Sequence, residues 1–180
     1  DAGVILNVGH DIGTAETSGN DYNTIEDNHF YASGHHVLGI NAGKYNVVRN
    51  NYIHNEAWWY YEAEDKYMGY RVMSMSDDDS AAFGAYNLLE DNNISYGAQY
   101  GAPHLVVGAS GSGLTVATDD NIIRYNKFFG NVMYGMRIGA SVSGTAINNH
   151  IFNNTFFYNG YNLDSGGVVN EDDEYLLDAY

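Results

Sequence analysis

Asn23-Thr-Ile-Glu-Asp-Asn28-His-Phe30 is an eight-residue pattern that the chain writes four more times. It returns as Asn46-Val-Val-Arg-Asn-Asn51-Tyr-Ile53 and Asn87-Leu-Leu-Glu-Asp-Asn92-Asn-Ile94. Asn121-Ile-Ile-Arg-Tyr-Asn126-Lys-Phe128 and Asn149-His-Ile-Phe-Asn-Asn154-Thr-Phe156 complete the set. Successive copies start 23, 41, 34 and 28 residues apart. A unit this short cannot bury its own apolar face, so the copies must stack on one another. The second Asn of each copy follows an inward aliphatic at a fixed offset, which marks a corner. Asn tolerates the left-handed conformation there and can bond to backbone. Asn28, Asn51, Asn92, Asn126 and Asn154 are therefore expected to form an internal amide ladder, as identical side chains do in stacked strands.

Between the copies lie shorter apolar segments: Val4–Val8, Val37–Ile40, Arg71–Met75, Leu105–Val107 and Gly135–Ile138. Gly, Asn, Ser or Asp bounds each one, which is strand punctuation. Each repeat thus reads as several short strands joined by tight turns, stacked in parallel about 4.8 Å apart. Proline, which cannot donate to an internal ladder, occurs once, at Pro103. The 21 glycines suit corners with positive φ. Stacking also places Glu26, Arg49, Glu90, Arg124 and Phe152 in one outward column, so neighbouring coils alternate in charge, each pair contributing about 0.2–1 kcal/mol. Helical spacing is nowhere sustained, although Glu56–Met68 could form a short helix. The expected fold is all-β: one solenoid domain over residues 1–170, five to six coils, a long insertion in the second full coil, and an acidic tail over 171–180. The first residues already read as a strand and no capping helix is visible. A fragment of a longer chain, or a subunit of a homo-oligomer whose ends are covered, is expected.

The chain has 180 residues, 44% of them apolar, enough for a core. Its formal net charge is -16, with only seven Lys and Arg. Nucleic-acid binding needs a basic footprint, and this charge excludes it. No apolar run of about 18 residues exists, so no membrane insertion is expected. Cysteine is absent, which removes disulfides and thiolate metal sites. The acidity serves either solubility or carboxylate binding of divalent cations.

The repeat, with Gly-bounded strands between its copies, resembles the right-handed parallel β-helix proteins, among them the pectate lyase-like enzymes. The resemblance spans roughly residues 4–170. It implies that the sheet of middle strands and its neighbouring loops form a substrate cleft. The outward row of that sheet would be Asn7, Gly39, Ser74, Val106, Arg137 and Asp164. On the resemblance the cleft residues are Arg137, Ser74, Asn41, Lys44, Asp77 and His10. Lyases of this fold often use Arg or Lys as base, helped by Ca²⁺. Arg137 and Lys44 are the candidates for that role, and pairing of Arg137 with a carboxylate such as Asp164 is the structural alternative. A net charge of -16 repels a polyanionic substrate unless bound cations invert the local field. The hydrolase and epimerase motifs of the fold are not matched.

The second full coil exceeds the shortest by 18 residues, in two insertions. Solenoid insertions usually become loops on one face, often the binding face. The first holds Trp58, Trp59, Tyr60 and Tyr61, which would serve as a sugar-stacking platform, a hydrophobic cover or a subunit interface. The second holds Asp77, Asp78 and Asp79, either a Ca²⁺ site or a solvated acidic turn. The seven histidines show no i, i+4 pair suited to a metal. His35 and His36 would point to opposite faces of a strand, and His104 begins another. Two functional expectations follow. One is a secreted or cell-surface module that binds, and in lyase fashion cleaves, a polysaccharide along its side. The other is a non-catalytic structural solenoid such as an adhesin, stalk or filament subunit.

Overall fold

The computed structural model describes residues 6–8, 20–33, 35–41, 43–55, 58–61, 66–69, 71–75, 84–97, 112–131, 134–139 and 146–159. The first sheet holds β1 (Leu6–Val8), β4 (Leu38–Ile40), β9 (Met73–Met75), β12 (Leu114–Val116) and β15 (Met136–Ile138), in that order. The second holds β2 (Thr24–Glu26), β5 (Val47–Arg49), β10 (Leu88–Glu90), β13 (Ile122–Arg124) and β16 (His150–Phe152). The third holds β3 (His29–Tyr31), β6 (Tyr52–His54), β11 (Asn93–Ser95), β14 (Lys127–Phe129) and β17 (Thr155–Phe157). Every pairing within these sheets is parallel, and the chain visits first, second and third sheet in turn. This is a parallel β-helix, as the repeat requires. The eight-residue pattern spans the second and third sheets and the corner between them.

The central residue of each strand in those two sheets points inward. Ile25, Val48, Leu89, Ile123 and Ile151 lie in one register column, and Phe30, Ile53, Ile94, Phe128 and Phe156 in the next. In the first sheet the flanking residues face the core instead, as with the fully buried Leu38 and Ile40. The three contributions meet in one continuous cluster. Phe128 and Phe156 stack within it, centroids 4.9 Å apart.

The expected amide ladder is present. Asn28, Asn51, Asn92 and Asn126 each donate a backbone N–H to the Oδ1 of the ladder Asn in the next coil, at 3.0 Å. The first Asn of each pattern builds a second ladder of the same kind, Asn23 to Asn46 to Asn87 to Asn121 to Asn149. A third corner carries a partial one, from Asn131 to Asn159, with Gly97 N–H donating to Asn131. Gly97 itself cannot extend the column, and a Cβ there would sit 2.6 Å from the Ser112 carbonyl oxygen.

The ladder asparagines are not themselves left-handed. The residue before each one is: Asp27 (φ 58°), Asn50 (φ 54°), Asp91 (φ 55°), Tyr125 (φ 59°) and Asn153 (φ 54°). That residue makes the bend, and the Asn locks it. Asn92 Nδ2 donates across the bend to the Glu90 carbonyl and down a coil to the Val48 carbonyl, both at 2.9 Å. A left-handed non-glycine residue costs on the order of 1–3 kcal/mol, and these bonds offset it. Glycine is a minor contributor to the bends: among the described residues only Gly130 and Gly139 have positive φ.

Three further expectations change. The first insertion contains no helix in its described part; Trp58–Tyr61 (β7) pairs antiparallel with Lys66–Gly69 (β8) as a hairpin. The strand beside Ser74 in the first sheet is Leu114–Val116, so Thr115 takes the register position expected for Val106. Leu105–Val107 lies outside the described residues. His35 and His36 do not diverge: their Nδ1 atoms are 2.7 Å apart.

Candidate functional site

Of the predicted cleft residues, Asn41, Lys44, Ser74 and Arg137 are described, and Ser74 and Arg137 each lie on a different coil from Asn41 and Lys44. Gly39, Ser74, Thr115 and Arg137 share a register row, as expected for the middle sheet. That row is not an open face, because Ser74 is 0% and Thr115 3% exposed. Arg137 is half-buried on the last strand of the sheet. Asn41 follows β4 and donates its backbone N–H to the Val8 carbonyl. Lys44 sits at the following corner, its N–H held by Asp21 Oδ1 at 2.8 Å. Three strand steps separate β4 from β15, about 14 Å at the usual spacing. Arg137 and Lys44 thus lie on different coils, with no described contact between them. The side chains of Trp58, Trp59, Tyr60 and Tyr61 lie outside the described residues, as do His10, Val106, Asp77, Asp78, Asp79 and Asp164. No group of three or more His, Asp or Glu converges on a metal position among the described residues.

Among the described residues, a surface that concentrates accessible chemistry is the corner between the second and third sheets. An open groove of about 410 Å³ runs there across three coils. The left-handed residues Asn50, Asp91 and Tyr125 form one wall, and Tyr52, Asn93 and Lys127 from β6, β11 and β14 form the other. The ladder residues Asn51 and Asn92 lie at its floor. This arrangement follows from the repeat. Its fifth position is pushed outward by the left-handed bend, and its seventh points outward because the eighth is the core residue.

Several groove residues are held in place. Arg124 pairs with Glu90, Nη2 to Oε2 at 2.7 Å, and its guanidinium carbon lies 5.7 Å from the Tyr125 ring centroid. Phe152 meets that ring edge-on, at 6.2 Å and 76°. Tyr125 is thus fixed on one side and 48% exposed. Asn93 Oδ1 is buried and has no hydrogen-bond partner among the described residues. An exposed ammonium (Lys127), a carboxylate (Asp91), amides and two phenols face one open space.

The sequence reading missed this groove because its residues lie inside the repeat, at the positions treated as free to vary. Writing the five copies beneath one another shows the signal. The fifth and seventh positions form two outward columns, unlike the aliphatic third and eighth.

The same stacking builds two more clusters. Tyr22, Tyr45 and Tyr86 stack along the preceding corner, centroids 5.1 and 5.4 Å apart. The Asp120 carboxylate beside them raises the Tyr86 phenol above its usual range, first by its charge and then by a hydrogen bond. His36 is buried, and that burial, reinforced by His35 and Arg71, lowers its pKa to about 3. Burial and Arg71 lower His35 as well.

The molecule is therefore a parallel β-helix with an open polar and aromatic groove along one corner. A family model described as the right-handed beta helix region matches residues 3–174, and the chain belongs to that family. No curated protein and no solved structure matches it.

Proposed function

We propose that this chain is a secreted or surface-displayed module that binds a polysaccharide in the groove between its second and third sheets. The observation that carries the reading is the groove's composition and periodicity. Phenol rings, amides, one carboxylate and one ammonium face a single open channel, from two positions that recur once per coil. Hydroxyl-rich polymers need both donors and acceptors, and flat rings for their apolar faces. A coil rise of about 4.8 Å is of the order of one sugar residue. A chain of sugars could therefore present similar groups to Tyr52, Asn93 and Lys127 in succession. The net charge of -16 favours a neutral glycan over a uronic one.

The test is calorimetric titration with neutral and uronic polysaccharides in low and physiological salt. Tyr125→Ala and Tyr52→Ala are expected to weaken binding at least tenfold with folding intact. Absence of binding across the panel, or variants that bind as well as the parent, would sink the reading.

The structural-solenoid reading is favoured by one observation. Among the described residues, β2 and β3 at one end and β16 and β17 at the other pair with a single neighbour each. Such edges accept further strands. Concentration-dependent assembly in light scattering, with no glycan binding, would establish it instead.

A further inference from the structure

The repeat places His29-Phe30-Tyr31 on β3 and Tyr52-Ile53-His54 on β6, with the flanking His and Tyr in reversed order. In register, His29 faces Tyr52 and Tyr31 faces His54. The two imidazoles are therefore diagonal neighbours, a geometry long side chains can bridge. They do: His29 Nε2 lies 2.6 Å from His54 Nε2. The tyrosines wall the pair. His29 stacks on Tyr52 at 4.9 Å and 11°, and His54 on Tyr31 at 5.5 Å and 9°. These contacts fix both ring planes, and the two Nε2 atoms meet head-on at hydrogen-bond distance, at one shared point. His29 is exposed and His54 half-buried, so that point is reachable from solvent.

We propose that His29 and His54 form a two-imidazole site for a borderline divalent cation, with Cu²⁺, Ni²⁺ or Zn²⁺ as the class. Neutral imidazole nitrogen is the ligand these ions prefer, and Cu²⁺ binds most tightly in the series. Ligand nitrogens about 2.0–2.1 Å from a tetrahedral ion stand roughly 3.3 Å apart. To admit the ion the pair gives up its shared proton, and the rings part by about 1 Å and turn so that both lone pairs converge, a side-chain motion that leaves the strands in place. Solvent completes the coordination. The acidic surface raises the local concentration of cations around the site. The site shares Tyr52 with the groove, but it rests on the two imidazoles, neither of which lines the groove.

The test uses the whole chain and the chloride salts of the three metals alone, read by calorimetry, with electron paramagnetic resonance for Cu²⁺. The expected result is one Cu²⁺ per chain, with hyperfine coupling from two imidazole nitrogens. His29→Gln and His54→Gln should each weaken binding at least tenfold. His150→Gln, on β16 of the second sheet, should leave it unchanged. Far-UV circular dichroism checks that each variant folds. If either fails, metal protection of His29 and His54 against diethyl pyrocarbonate in the parent chain, read by mass spectrometry, replaces it. Binding that survives both substitutions, coupling to fewer than two nitrogens, no stoichiometric binding, or no protection overturns the proposal.

Discussion

A ladder asparagine does three jobs that no other residue type combines. At Asn92 the Oδ1 accepts from the Asn51 N–H, and Nδ2 donates to the Val48 and Glu90 carbonyls. Alanine there orphans the buried Asn51 N–H and removes the Nδ2 bonds to both carbonyls, of which the Glu90 oxygen keeps the Asn50 N–H; each lost buried bond costs about 1–3 kcal/mol. Asn92→Ala is expected to lose about 3 kcal/mol or more in urea denaturation. Asn28→Ala, at an exposed position in the first pattern, should lose under about 1 kcal/mol. Similar losses at both positions would show that the ladder is not what holds the corner. His36 gives a pH prediction. Its folded pKa is about 3, below the unfolded value of about 6.5. The unfolded chain therefore binds the extra proton first as pH falls. Stability contributed by His36 is full above pH 6.5 and is lost as pH drops toward 3, at about 1.4 kcal/mol per unit. Urea midpoints of the parent and His36→Gln between pH 7 and 5 should diverge accordingly. Parallel pH profiles would refute the burial argument.

At the scale of the element, strands three residues long owe their place to their neighbours. The column Glu26, Arg49, Glu90, Arg124 was legible in the sequence because the repeat fixes its register, and β2, β5, β10 and β13 align as that register requires. The two ion pairs differ in setting. In Arg49–Glu26 the side chains are 45% and 42% exposed; in Arg124–Glu90 they are 36% and 15%. Exposed pairs contribute about 0.2–1 kcal/mol and fade with salt. Double-mutant cycles should give the larger coupling for Arg124–Glu90. Molar salt should abolish the Arg49–Glu26 coupling first. The reverse order would mean that exposure does not govern these pairs. The hairpin of β7 and β8 was not legible, because Glu56–Met68 carries apolar residues compatible with either period.

Across the whole molecule, each coil touches mainly the coils beside it, so stability propagates along one axis. Phe128 is fully buried and stacked on Phe156. Phe128→Ala should cost about 3–5 kcal/mol. Hydrogen exchange should rise most in β11, β14 and β17 and least in β2 and β3. A uniform rise would contradict a one-dimensional solenoid.

The sequence by itself determined the winding, the register and the second-Asn ladder, because a motif that cannot bury its apolar residues alone has one way to repeat. It could not show which positions meet across coils. Loops of unequal length separate the copies, so Tyr52, Asn93 and Lys127, or His29 and His54, are far apart in the chain and adjacent only once the coils stack. Tertiary structure also decided which face is open. Ser74 looked outward by strand alternation and is fully buried, whereas Tyr125 looked like a spacer and stands at the rim of the groove. Alternation fixes the direction of a side chain relative to its own sheet. What covers that sheet depends on where the rest of the chain is laid.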